Sequence, residues 1–371
     1  MKKLGALLTI TAVLGTVLVG CGSTSDKTAS SSAKPADSGS AAATLSPEKQ
    51  LVIAGNGATV EQMMKDEIFK KFNAKYPDVK LSYVSGVSTE IVAKVKAQKA
   101  SPQIDLTVIE GGEQEGGRVE GLWDTLSDKD IPNMKKVGAD LQVKDNSGVA
   151  VNFTPMGISY NAELVKAKGL PIPESWNDLT KPEMKGNLSI AEISSNFGRS
   201  ALIMLSYANG GSEKSMDPGF EKFKTIAGYL PTFAKSSAQL QQDMQNKTAV
   251  YTTWTQARSL VQKDAGLNLE FVVPKEGTNL VPNVATLVKG AKNPNAAKLF
   301  IDFLLSDEVQ KLYGEKLYYH PATDIKLPAD IESKLNFDRK KVVKFDLEVV
   351  GKSTPDWLDR FNKEVAPKVG K

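Results

Sequence analysis

The chain has 371 residues, 41% hydrophobic and 24% charged, with a formal net charge of +4. Those proportions are ordinary for a globular protein, and the interspersed acids and bases form no basic block or aromatic-basic stripe of the kind that marks nucleic-acid binders. One cysteine, Cys21, and one histidine, His320, exclude an intrachain disulfide and a thiolate metal cluster; no G-x-S-x-G, H-E-x-x-H, Walker or complete G-x-G-x-x-G motif occurs.

At the N-terminus, Lys2 and Lys3 precede an uncharged apolar run over residues 4–17. The run is shorter than the roughly 20 residues of a bilayer span and has the layout of an export signal. LVGC at 18–21 resembles a bacterial lipobox, so residues 1–20 are expected to be a lipoprotein signal peptide and Cys21 the lipidated residue. One or two acyl chains anchor a protein without spanning the membrane. The Ser-, Ala-, Gly- and Thr-rich residues 21–49 lack the apolar content to order themselves and read as a flexible tether. The expected location is the extracytoplasmic face of the cell membrane. The remaining roughly 320 residues exceed the size at which a single core usually keeps growing, so two domains are expected.

LVIA at 51–54 reads as a buried strand ending at Gly55, Asn56 and Gly57. Thr59 and Gln62 fit a capping box opening a helix, with Val60, Met63, Met64, Ile68 and Phe72 as its apolar stripe. A second strand over 79–84 turns at Ser85 and Gly86, a helix covers 88–100, and a third strand over 104–109 ends at Glu110, Gly111 and Gly112. Alternating strands and helices predict a parallel sheet with right-handed crossovers, whose ligands bind beyond the carboxyl ends of the strands. Asn56, Gly57, Ser85, Gly86, Glu110 and Gly111 are therefore candidate ligand residues.

Residues 149–160 read as a long extended crossing into a second lobe, followed by a helix over 161–168 and a strand over 188–190. Ser194, Ser195, Asn196 and Arg199 open an apolar helix. Helices are expected near 219–229 and 235–246, then a strand over 250–252, a helix over 254–263 and a strand over 269–273. Residues 284–288 are expected to return to the first lobe; helices follow over 294–305 and 307–317, and the tail over 336–371 is mostly amphipathic helix.

GISYNAELVKAKGLPIPESWNDLTKPEMKGNLSI, VPKEGTNLVPNVATLVKGAKNPNAAKLFIDFLLSDEVQKL and the lipobox together resemble the extracellular solute-binding proteins of ABC importers. The branch they resemble contains polyamine, ferric-iron, thiamine and 2-aminoethylphosphonate binders. The resemblance covers roughly residues 50–325 and implies a periplasmic-binding-protein type II-like α/β fold: two lobes joined by a hinge, closing on a solute in a central cleft. The implied partition is 50–157 with 283–330 as a discontinuous first lobe and 158–282 as the second; residues 331–371 have no clear place in that pattern and are expected to form a helical extension that braces the lobes. A membrane permease is the implied partner, with the chain a monomer, no nucleic acid, no cofactor, no resident metal and no catalysis. A surface-anchored hydrolase using paired carboxylates is the alternative from another class.

Hydroxyls, free backbone N–H groups and an arginine at a helix start suit an anion, so Ser195, Asn196 and Arg199 are expected in the cleft, the alternative being an Arg199 on an ordinary helix surface. Asn283 falls where the resemblance puts an acid in polyamine binders. Glu110 opposite such a pocket suits a zwitterion, an aminophosphonate for example, or a phosphorylated or thiamine-type compound. Polyamine and ferric iron are the alternatives on the same fold. Trp254 either walls the cleft or packs in the core. In LYYHPAT (317–323), Tyr318 and Tyr319 would point to opposite faces of an extended backbone. That leaves Tyr319 at the cleft mouth and His320 as a surface or capping residue.

Overall fold

The computed structural model describes residues 45–371, so the expected signal peptide, Cys21 and most of the expected tether lie outside the described residues. Strands β1 (Gln50–Asn56), β2 (Lys80–Gly86) and β3 (Leu106–Glu110) pair in parallel, with Ile53 opposite both Tyr83 and Leu106. Their alternation sends side chains to both faces of the sheet. Leu51, Ile53, Leu106 and Val108 enter one core cluster, whereas Ala54 and Ile109 enter a smaller one against the opposite face.

Between β1 and β2 run α1 (Ala58–Met63), a π-helical turn (Met64–Ile68) and α2 (Phe69–Lys75); α3 (Ser88–Ala97) joins β2 to β3. The expected capping box is absent. The N-cap is Gly57, with no side-chain cap bond, and Thr59 lies inside the helix. Gly57 has φ +70°, a conformation that glycine adopts without steric cost and that lets the helix start as soon as the strand ends. The expected apolar stripe does face inward: Met63, Met64, Ile68 and Phe72 are buried in the first core.

β3 leads directly into α4 (Gly111–Val119), where the sequence reading placed no element. Its glycines disfavour helix intrinsically, but packing needs two of them. A Cβ on Gly111 would lie 2.8 Å from Pro282 Cγ, and one on Gly117 would lie 2.3 Å from the Trp123 ring.

β4 (Val149–Asn161) is buried along its whole length and belongs to both major cores: Val149 to Phe153 contribute to the first, and Met156, Ile158 and Tyr160 to the second. Then come α5 (Ala162–Lys168), capped by the Asn161 side chain, β5 (Leu188–Ser189) and α6 (Asn196–Tyr207), capped by Ser195. They are followed by α7 (Asp217–Tyr229), α8 (Ser237–Gln245), β6 (Tyr251–Thr255), α9 (Gln256–Asp264) and β7 (Leu269–Val272). β8 (Leu280–Leu287) runs back across the boundary, with Val281 in the second core and Ala285 and Leu287 in the first.

The main strand order is β2-β1-β3-β8-β4-β6-β5, with β7 and β9 (His320–Pro321) also paired to β4. β8 is antiparallel to both β3 and β4, so the sheet is mixed rather than purely parallel. These two crossings between the cores are made by single strands running in opposite directions.

α10 (Pro294–Leu304) and α11 (Asp307–Leu317) cover the first core. After α12 (Ala329–Leu335) the chain passes back to the second core. There Val350 and Trp357 of α13 (Leu347–Arg360), with Phe361 and Val365 beyond it, are buried. No helix among the described residues is long and apolar enough to cross a membrane.

Candidate functional site

The carboxyl ends of β1, β2 and β3 open into a cavity of about 520 Å³ that residues from both cores line. Asn56, Gly57, Gly86, Ser88 and Glu110 contribute from the strand ends and the start of α3. Ser195, Asn196, Arg199, Ser236 and Arg258 contribute from the starts of α6, α8 and α9. Ser88 ties the floor together: its hydroxyl donates to Asn56 Oδ1 at 2.8 Å and accepts from the Glu110 amide at 3.1 Å.

The helix starts give the cavity a common polarity. α3, α4, α6 and α8 all place first-turn or capping residues in its wall. Helix N-termini carry partial positive charge and unused N–H donors. Ser195 and Ser236 cap α6 and α8, accepting from Phe197 N and Gln239 N, whereas α3 and α4 begin without a side-chain cap.

Charges are distributed unevenly. The second-core wall offers Arg199, Lys235 and Arg258 and no acid; Glu110, Glu113 and Glu120 line the other side. Arg199 is buried, and its Nη2 donates to Glu113 Oε1 at 2.5 Å, joining α6 to α4 across the cavity. Its Nη1 reaches the carbonyls of Ile193 and Ser194 at 3.3 and 3.4 Å. Glu113 Oε2 is buried with no hydrogen-bond partner. Arg258 is half-buried and has no ion-pair partner among the described residues. Burial, followed by the Glu113 carboxylate, pushes the Glu110 carboxyl up to about 7, while Arg199, Arg258 and the Asn196 amide pull in the opposite direction. A carboxyl titrating near neutrality takes part of the negative charge out of the cavity floor.

The remaining sequence-derived candidates are placed as follows. Ser85 is exposed, lies beside Glu61 and does not line the cavity. Gly111 packs against Pro282 at the start of α4. Trp254 is fully buried in the second core, its Nε1 donating to Ser237 Oγ at 3.3 Å. It belongs to β6 rather than to a helix start, and full burial of both ring faces makes it core packing. Asn283 sits opposite Glu110 in the β3–β8 ladder and donates to Asn152 Oδ1 at 2.6 Å.

Tyr318 and Tyr319 diverge. Tyr318 closes α11 with φ +55° and its hydroxyl pairs with Asp264, whereas Tyr319 lies among Asn283, Arg258 and Glu110. Burial raises the Tyr319 phenol, and the Arg258 charge partly offsets this. His320 is half-buried and caps no helix. It stacks on Phe153 with 4.8 Å between ring centroids, and its Nε2 lies 2.9 Å from Gln256 Oε1. Burial, and then the Arg339 charge, push its imidazole down to about 4.

Sequence reasoning missed Ser88, Glu113, Ser236 and Arg258. Ser88 and Arg258 sit in helix first turns after strands, the same signal that nominated Asn196. Glu113 was hidden because GGEQEGG does not read as a helix.

The profile of the bacterial extracellular solute-binding proteins matches residues 67–336. The chain belongs to that family. This solute-binding protein is 25% identical over 252 residues to the spermidine/putrescine-binding periplasmic protein of Escherichia coli, covering 66% of this chain and 71% of that one. It is 24% identical over 294 residues to a Salmonella typhimurium periplasmic protein named for 2-aminoethylphosphonate, covering 77% and 80%. Among solved structures it matches the periplasmic binding protein AfuA of Actinobacillus pleuropneumoniae with fructose 6-phosphate bound. That match has TM-score 0.72 and 27% identity, and covers 86% of this chain and 99% of that one. The fold is the periplasmic-binding-protein type II fold. The protein is the extracytoplasmic substrate-binding component of an ABC importer, which takes up a small solute and meets a permease; it is not an enzyme, and the hydrolase alternative falls.

Proposed function

We propose that this binding protein captures a small organic solute that is anionic or zwitterionic, in the class of phosphorylated compounds, aminophosphonates and thiamine-type molecules. One observation carries the reading: helix starts with uncapped N–H donors, together with Arg258, face one cavity whose second-core wall holds no acid. A polyamine needs carboxylates on both sides of the cleft to meet its ammonium groups. Here the acids stand on one side only, Glu113 is already committed to Arg199, and Glu110 titrates near neutrality. The fructose 6-phosphate bound to AfuA belongs to the same ligand class.

The two cores act as lobes in this reading, with β4 and β8 as the hinge strands and the solute stabilising the closed form. A lipid on Cys21 keeps the monomer near its permease.

The test is a thermal-shift panel on the purified chain with hexose phosphates, 2-aminoethylphosphonate, thiamine phosphates, polyamines and ferric citrate. A solute at 1,000 times its Kd adds about 4 kcal/mol of stability. Phosphate- or phosphonate-bearing solutes are expected to raise Tm. Arg258→Ala is expected to weaken that binding by roughly 10- to 100-fold, the loss of a charge-assisted hydrogen bond of about 1.5–3 kcal/mol. A melt shifted by polyamines alone overturns the reading.

A further inference from the structure

Resting on the reading of this cavity as the solute site, we infer that α13 of the C-terminal extension is a specificity-determining wall of that site. Val350, Gly351, Thr354 and Leu358 form one stripe of α13 that lines the same cavity as Glu110, Asn196 and Arg258. The spacing 350, 351, 354, 358 is that of a single helix face. Unlike the two walls of polar helix starts, this face brings no charged group. Its only hydroxyl, on Thr354, donates to Val350 O at 2.6 Å and is thereby occupied within the helix. Gly351 sits where an added Cβ would come within 4.0 Å of Gly116 N, so α13 lies closely against α4.

The wall is held firmly. Trp357, Phe361 and Val365 anchor it in the second core. Glu348 at its first turn pairs with Lys144 and lies 3.6 Å from Arg118, both outside that core. The helix is thus a further connection between the two halves, beside β4, β8 and the Arg199–Glu113 pair. A solute lodged here meets charge readers on two sides and an uncharged, shape-defining surface on the third. Its polar head is set by the helix starts, and the size of its uncharged part by α13. The profile match ends at residue 336, so this wall is contributed by a segment outside the part of the chain that identifies the family.

Two measurements on the full chain test this. In a Cys21→Ser background, Thr354→Cys and, as an exposed site on the same helix, Asp356→Cys are each reacted with anionic sulfonatoethyl and cationic trimethylammonioethyl methanethiosulfonate. A thiol facing a cavity of converging helix starts is expected to prefer the anionic reagent, relative to Asp356→Cys, by roughly tenfold. Equal ratios at the two positions overturn the proposal without any solute being known. Second, fructose 6-phosphate and 2-aminoethylphosphonate are titrated calorimetrically into wild type, Thr354→Ser and Thr354→Trp, with melting curves as the fold control. Whichever binds wild type is expected to retain its affinity in Thr354→Ser and to lose tenfold or more in Thr354→Trp; undiminished binding by a folded Thr354→Trp overturns the wall. If neither probe binds wild type, the thiol ratios alone decide the place of α13.

Discussion

Arg199 and Glu113 show how a residue can be in the right place yet have a different task from the one its type suggests. The arginine faces the cavity but is not free for a solute, because its guanidinium is bonded to a buried carboxylate. Breaking a buried pair from one side leaves the other charge uncompensated. Glu113→Gln is therefore expected to lower unfolding stability by about 3 kcal/mol in urea titration, whereas Glu113→Leu with Arg199→Met is expected to recover most of that. A double variant as unstable as the single one would show that the pair does more than compensate charge. Glu110 adds a pH dependence. Its carboxyl is raised to about 7, so between the ordinary carboxylate range and pH 7 the folded protein holds a proton that the unfolded chain has released. Stability then falls as pH rises through that window. Glu110→Gln is expected to flatten the slope of Tm between pH 5 and 7; an unchanged slope would place the titration elsewhere.

At the scale of an element, α4 is the instructive case. Its glycines argue against a helix by propensity, yet at Gly111 and Gly117 side chains from other elements occupy the space where a Cβ would be, so the helix there admits no larger residue. Gly117 and Gly116 are adjacent and separate the two effects. A Cβ on Gly117 meets the Trp123 ring at 2.3 Å, whereas one on Gly116 meets nothing within 4 Å. Gly117→Ala is expected to destabilise by about 1–3 kcal/mol through overpacking. Gly116→Ala is expected to stabilise by up to about 1 kcal/mol through helix propensity. Denaturant midpoints of the two variants check the contrast, and a shared sign would refute it. Strand ends, by comparison, were legible: apolar runs of a few residues closed by glycine located β1, β2 and β3, hence Asn56, Gly57, Gly86 and Glu110. Ser85 was not separable from Gly86 by this signal, because neighbours on a strand face opposite sides.

For the whole molecule, two cores joined by single strands of opposite direction, plus the α13 tie, describe a body able to bend in few ways. If solute closes the cavity, small-angle scattering on the chain with a saturating phosphorylated ligand is expected to show a smaller radius of gyration than without it. An unchanged radius would mean that the described form is already the closed one, or that the cores do not move.

The sequence alone determined the local matters: which short apolar runs become strands, where most helices lie, and that a family of extracellular binders shares these motifs. Periodicity and turn chemistry act over a few residues and can be read without partners. Tertiary structure decided the rest. It buried Trp254 in the core, committed Arg199 to Glu113, left Arg258 without an ion-pair partner among the described residues and stacked His320 on Phe153. Each of those outcomes depends on what a segment many residues away places opposite the side chain, and spacing along one strand or helix carries no record of that.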